Sequence, residues 1–176
     1  ISQKALMLVV DHVGNDMVRL GNEIDKLTLN LSGRKSITED DIEKYVGVSK
    51  EFNVFELTDA LGKKDLPKAI RIIRYFGENP KAAPIQLVLP ALYNFFSKTY
   101  IIFGLGSPDE KAVAAALGVN PYFVKDYLSA AQKYGYAGVE KALLLLHHYN
   151  LKSVGVGDSG SSDASLMMEM AVKMVN

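Results

Sequence analysis

Apolar residues in this chain recur at intervals of three and four, and no stretch alternates apolar and polar with a period of two. That spacing puts the apolar side chains on one face of an α-helix, whereas a half-buried strand needs strict alternation. The chain is therefore expected to be all-α, with helix faces buried against one another. Ala5, Leu6, Leu8, Val9 and Val13 mark a first helix ending near Gly14, and Asn15 is positioned to cap a second. In that second helix Met17, Leu20, Ile24 and Leu27 form an apolar stripe, with Asp16, Arg19, Glu23 and Lys26 off it. Thr38, with Asp41 three residues on, reads as a capping box that opens a third short helix, and Gly47 can close it. Three short helices in roughly 45 residues bury too little surface to be robust alone. This unit is expected to lean on another domain.

Residues 48–52 read as a linker, so two domains are expected, at 1–49 and 50–176. In the second, Val54, Phe55, Leu57, Ala60 and Leu61 share one helix, and Asp65 caps the next, with Leu66, Ala69, Ile70, Ile73 and Phe76 on its face. A long apolar helix follows from residue 85 to about 103, and Pro90 is expected to kink it or shift its start. Ser107, with Pro108 after it, signals another start, and Gly118 its end. Asn120-Pro121 opens a helix to about Tyr134, and Gly138 to Asn150 a further one. Asp163 is expected to cap the last helix. The chain opens at Ile1 within a helical pattern and is expected to be a piece of a longer polypeptide.

Composition removes several chemistries. The absence of cysteine excludes disulfides, thiolate metal sites and thiol catalysis, and fits a reducing cytoplasm. Twenty basic residues balance twenty acidic ones, which does not describe a strongly basic nucleic-acid binder. No apolar run approaches the ~20 residues that span a bilayer. His147 and His148 are adjacent, about 100° apart on a helix, and cannot face one metal together. One is expected to pack and one to be solvated. The segment from Gly155 to Gly160 spells G-x-G-x-x-G, but it lacks the preceding strand of a dinucleotide site and is read as a connecting loop. No catalytic residue, cofactor site or metal site is assigned.

Two surfaces remain as candidates. Lys64, Lys68 and Arg71 can share one helix face with Lys63 and Arg74 nearby, a weak candidate for phosphate contact whose plainer reading is the solvated side of an amphipathic helix. Tyr93, Phe95, Phe96, Tyr100 and Phe103 crowd the long helix on more than one side, which marks a central core helix or an interface.

Several segments resemble the DNA polymerase III delta subunit family. Val13-Gly14-Asn15-Asp16-Met17 and Asn22-Glu23-Ile24-Asp25-Lys26-Leu27 resemble its lid domain, and Ile37-Thr38-Glu39-Asp40-Asp41-Ile42-Glu43 resembles the third lid helix of AAA+ proteins. Asn53-Val54-Phe55-Glu56-Leu57-Thr58-Asp59-Ala60-Leu61 is similar to the opening of the family's collar domain, and is the most specific match. Pro121-Tyr122-Phe123-Val124-Lys125 and Leu151-Lys152-Ser153 also look like that domain. Asn150, where the family often has an acidic residue, and the glycine-rich loop depart from it. The resemblance implies a small AAA+-type lid followed by a helical-bundle collar, with no catalysis in this piece, in a bacterial, cytoplasmic protein. It implies assembly with other clamp-loader subunits through the collar, contact with the sliding clamp through an N-terminal domain not matched here, DNA contact only in the assembled complex, and no membrane. On that reading Tyr93, Phe96, Tyr100, Leu166 and Met170 are the candidate subunit interface. The alternatives are the lid and collar of another AAA+ clamp-loader ATPase, or a helical DNA-binding domain using the Lys63 to Arg74 face.

Overall fold

The computed structural model describes residues 1–176 apart from Asn15, Ser107, Pro108 and Ser159, and gives the backbone but not the side chain of Asp11. Among the described residues there is no strand. The chain divides into two compact units, Ile1–Glu56 and Leu57–Asn176.

The first unit packs α1 (Gln3–Val13), α2 (Met17–Leu29) and α3 (Glu39–Tyr45) around Ala5, Leu8, Val9, Val13, Leu27, Ile37 and Ile42. Each helix start is satisfied by a nearby side chain. The Ser2 hydroxyl accepts from the Ala5 N–H, and Asp16 accepts from the N–H groups of Val18 and Arg19. The cap of α2 is thus Asp16; the expected cap, Asn15, lies outside the described residues. Asp41 reaches back to the Thr38 N–H at 2.9 Å, the acidic half of the expected capping box. Gly47 closes α3 with a left-handed φ of 82° and donates to the Ile42 carbonyl. The α2 stripe is only partly used. Leu27 is buried, Leu20 and Ile24 are half-buried, and Met17 is exposed, because only the later turns of α2 meet the α1–α3 core.

The boundary between the units falls in the first turn of α4 (Val54–Gly62). Asn53 starts this helix: its carbonyl oxygen accepts from the Glu56 N–H, and its amide donates to the Ser49 carbonyl. That double role gives a physical reason for asparagine at the head of the most family-like segment. The second unit continues with α5 (Leu66–Glu78), α6 (Ile85–Ile102), α7 (Glu110–Leu117), a single 3₁₀ turn (Pro121–Phe123), α8 (Val124–Ser153) and α9 (Asp163–Val175). Its centre is the pairing of α6 with α8, and α9 packs on α5 and α8. Leu92 and Phe96 of α6, Ala142 and Tyr149 of α8, Ile73 of α5 and Met170 of α9 are all fully enclosed.

The two helices expected to part between Tyr134 and Gly138 do so: the long span α8 is interrupted at Gly135 by a left-handed, non-helical backbone (φ 63°, ψ 173°) that glycine adopts without strain. Three expectations change here. Pro90 does not shift the start of α6, which runs unbroken from Ile85. The helix after residue 107 begins at Glu110, capped by Asp109, which accepts from the Ala112 N–H at 2.7 Å. The expected Ser107 and Pro108 signals fall outside the described residues. Lastly, Ser162 rather than Asp163 caps α9, accepting from the Ser165 N–H. The Asp163 carboxylate instead reaches the Ile85 N–H at the head of α6.

Candidate assembly surface

The three basic candidates do not form one free stripe. Lys64 sits in a left-handed turn (φ 59°), and its ammonium lies 4.6 Å from the Tyr134 ring centre. Lys68 pairs with Asp59 at 3.3 Å, and Lys63 shares the same carboxylate at 2.5 Å. Tyr134 is itself fixed, donating from its hydroxyl to the Leu61 carbonyl at 2.7 Å, and burial holds its pKa well above the usual phenol value. Arg71 remains exposed on α5, apart from the two lysines in chemistry. Lys64 and Lys68 act inside the fold, the first as a ring cover and the second as an ion-pair partner.

The aromatic candidates separate in the same way. Phe96, Leu166 and Met170 are enclosed in the second unit and pack on its own helices. A partner cannot touch them in this fold, so the interface reading passes from these three to other residues. Phe96 makes edge contacts with Phe95 at 5.3 Å and Tyr134 at 5.2 Å, and these rings tie α6 to α8. Tyr93 points outward and is 59% exposed; Tyr100 is half-buried. Sequence reasoning missed the residues beside them. Leu87, 53% exposed, and Ile101 lie on the outer side of α6 with Pro90, Tyr93 and Asn94. Lys98 is the only charged residue of this 18-residue helix. Positions 87, 90, 94, 97 and 101 follow the three-and-four spacing of a helix-packing seam. The signal was present in the sequence as the near-absence of charge. An amphipathic helix with one solvated face normally carries several charges there.

The remaining motifs lose their chemical readings. His147 and His148 are both exposed, against the expectation that one would pack; His148 meets the neighbouring Tyr149 ring edge-on at 5.3 Å. No group of three metal-ligating side chains comes together among the described residues. In the glycine-rich loop, Asp158 accepts from the N–H groups of Gly160 and Ser161, so the chain's own carboxylate fills the anion-binding position. These donors also hold the Asp158 carboxyl below its usual pKa. Lys152, Asp158, Glu169 and Lys173 then surround the buried Tyr149 ring as a charged fringe linking α8, the loop and α9. No described helix is long and apolar enough to cross a membrane.

Comparison with known proteins agrees with the all-helical fold. Over 143 residues the chain is 28% identical to the "Probable DNA polymerase III subunit delta" of Aquifex aeolicus (strain VF5), covering 76% of this chain and 39% of that protein. Its fold matches that of the Bacillus subtilis DNA clamp loader delta protein with a TM-score of 0.62, at 22% identity, over 99% of this chain and 50% of the other. The chain therefore spans half or less of the length of these relatives. The family model that describes the C-terminal domain of the DNA polymerase III delta subunit matches residues 51–173, well over half of the chain. With an all-helical second unit built over that same stretch, the chain belongs to the DNA polymerase III delta family, through the C-terminal domain that defines this match.

Proposed function

We propose that this chain serves DNA replication as a non-catalytic assembly module of the DNA polymerase III clamp loader. In this reading residues 1–49 act as the helical lid and 50–176 as the collar that packs against sibling subunits. The observation that carries it is the outer side of α6, where Leu87 and Ile101 stand exposed at the ends of the three-and-four-spaced row through Pro90, Asn94 and Ser97, with Tyr93 exposed beside it and Lys98 the one charge of the helix. A solvated helix face so poor in charge fits a surface for packing against another helix. The family's role in a multi-subunit loader supplies the class of partner.

Clamp contact and ATP hydrolysis are assigned to other domains and subunits, DNA contact to the assembled complex, and the site of action to the bacterial cytoplasm. The family match over the collar favours this over an ATPase lid and collar. The engagement of Lys64 and Lys68 within the fold disfavours an independent DNA-binding domain. The test is co-elution of this chain with the other clamp-loader subunits in size-exclusion chromatography. A stable mixed complex is expected. A chain shown to be helical by circular dichroism that binds none of them overturns the assembly reading.

A further inference from the structure

We propose that the aromatic cluster of Tyr100, Phe103 and Tyr136, with Glu140 beside it, receives an arginine side chain from a neighbouring protein subunit. The proposal rests on the assembly reading and names where one partner side chain is held.

Tyr100 and Phe103 stand at the C-terminal end of α6, and Tyr136 immediately follows the Gly135 break in α8. The Tyr100 and Tyr136 rings lie 5.0 Å apart with their hydroxyls hydrogen-bonded to each other. Phe103 closes on them edge-on, 6.5 Å from Tyr100 and 5.7 Å from Tyr136. The cluster is open to solvent: Tyr136 is 50% and Phe103 38% exposed. Glu140 is exposed one turn beyond Tyr136. The Tyr136 hydroxyl bond first, then burial, and lastly the Glu140 charge hold the Tyr100 hydroxyl above its ordinary pKa.

Three of the chain's other tyrosine rings already hold a cation: an ammonium lies over Tyr45 (Lys44), over Tyr134 (Lys64) and over Tyr149 (Lys152 and Lys173). Among the described residues no cation lies over Tyr100, Phe103 or Tyr136, and Glu140 carries no ion pair. Three electron-rich rings beside an unpaired carboxylate complement a cation. Arginine suits them better than lysine, because its planar, weakly hydrated guanidinium stacks on a ring while its N–H fork meets a carboxylate. Tyrosine and arginine are also the side chains most concentrated where interfaces are tightest. A stacking platform for nucleic-acid bases is disfavoured, since the Glu140 charge repels phosphate.

The experiment measures the dissociation constants of this chain and its Glu140→Lys, Glu140→Gln and Tyr136→Ala variants for each of the other clamp-loader subunits, at low and at physiological salt. Fold is checked by circular dichroism, and binding to single-stranded DNA is measured in parallel. Glu140 is exposed, so its variants are expected to keep the fold. Against one subunit, Glu140→Lys is expected to weaken binding about 5- to 30-fold, the range of a desolvated cation–aromatic contact. Glu140→Gln is expected to weaken it less, with both effects shrinking as salt rises. Glu140→Lys bound as tightly as wild type by a subunit that wild type binds overturns this proposal alone. Tyr136→Ala losing DNA affinity with subunit affinities unchanged overturns it in favour of a base platform. Wild type binding no subunit overturns the assembly reading beneath it.

Discussion

The Asp163 carboxylate, in the first turn of α9, accepts a 3.0 Å hydrogen bond from the backbone N–H of Ile85, the first residue of α6 and 78 positions earlier. Proline at 84 has no side-chain oxygen with which to cap this helix, and the first N–H groups of a helix have no partner of their own. A carboxylate from another helix meets that need, and its charge faces the positive end of the α6 dipole. Asp163→Ala is expected to destabilise the second unit by about 0.5–2 kcal/mol, the range of a lost N-cap. Asp163→Asn, which keeps an acceptor, is expected to cost less. Urea unfolding followed by circular dichroism checks both.

Gly62 marks the close approach of α4 to α6. A β-carbon there would lie 2.8 Å from the Phe95 Cζ. Phe95 has little room to yield, being stacked on Tyr127 at 4.8 Å and held edge-on by Phe96. Gly62→Ala is expected to cost about 1–3 kcal/mol through overpacking, less a part returned by the better helix propensity of alanine. Combining it with Phe95→Leu should give a loss smaller than the sum of the two single losses, the mark of residues in contact. Denaturant midpoints of the four proteins test this.

Asp41 links pH to the stability of the first unit. The Arg34 guanidinium, first, and the Thr38 N–H, second, hold its carboxyl down at about 2 from an ordinary 3.8. A carboxyl whose pKa is lowered by folding contributes stability that is present above its unfolded value and is lost as pH falls toward its folded one. Below about pH 4 the first unit is therefore expected to lose stability progressively as pH approaches 2. Arg34→Ala should raise the Asp41 pKa, read by carboxyl-carbon NMR, and move the start of acid unfolding upward. An Asp41 pKa unchanged in that variant would contradict the assignment.

The outer side of α6 gives a separation of fold from assembly. Exposed Tyr93 and Leu87 contribute little to the second unit itself, so Tyr93→Ala and Leu87→Lys are expected to shift stability within about 0.5 kcal/mol. Association with the clamp-loader partner should weaken about tenfold or more for either, as for a contact near an interface centre. Thermal melts paired with dissociation constants read the two quantities. A large loss of melting temperature would place these side chains in the core instead.

The readings that came directly from sequence concern groups three or four residues apart. The Asp41 reach to Thr38, the Asp65 cap of α5, the left-handed Gly118 after α7 and the helical spacing of the apolar residues all hold in the structure. Both partners of such an interaction sit in one short segment, so local chemistry is enough to find them. The segment at 53–61 stood out only as a family resemblance, and the structure supplies the capping role of Asn53 within it.

What tertiary structure alone decided is which face of each helix meets the chain's own core. Phe96 and Tyr93 are three residues apart on one helix, yet one is enclosed and the other open. Asp163 caps α6 rather than α9, Lys64 covers Tyr134, and Tyr136 joins Tyr100 across 36 positions. Periodicity assigns an apolar face to a helix, but not the neighbour that covers it. That choice depends on contacts between residues far apart in sequence, and these exist only once α6, α8 and α9 have packed.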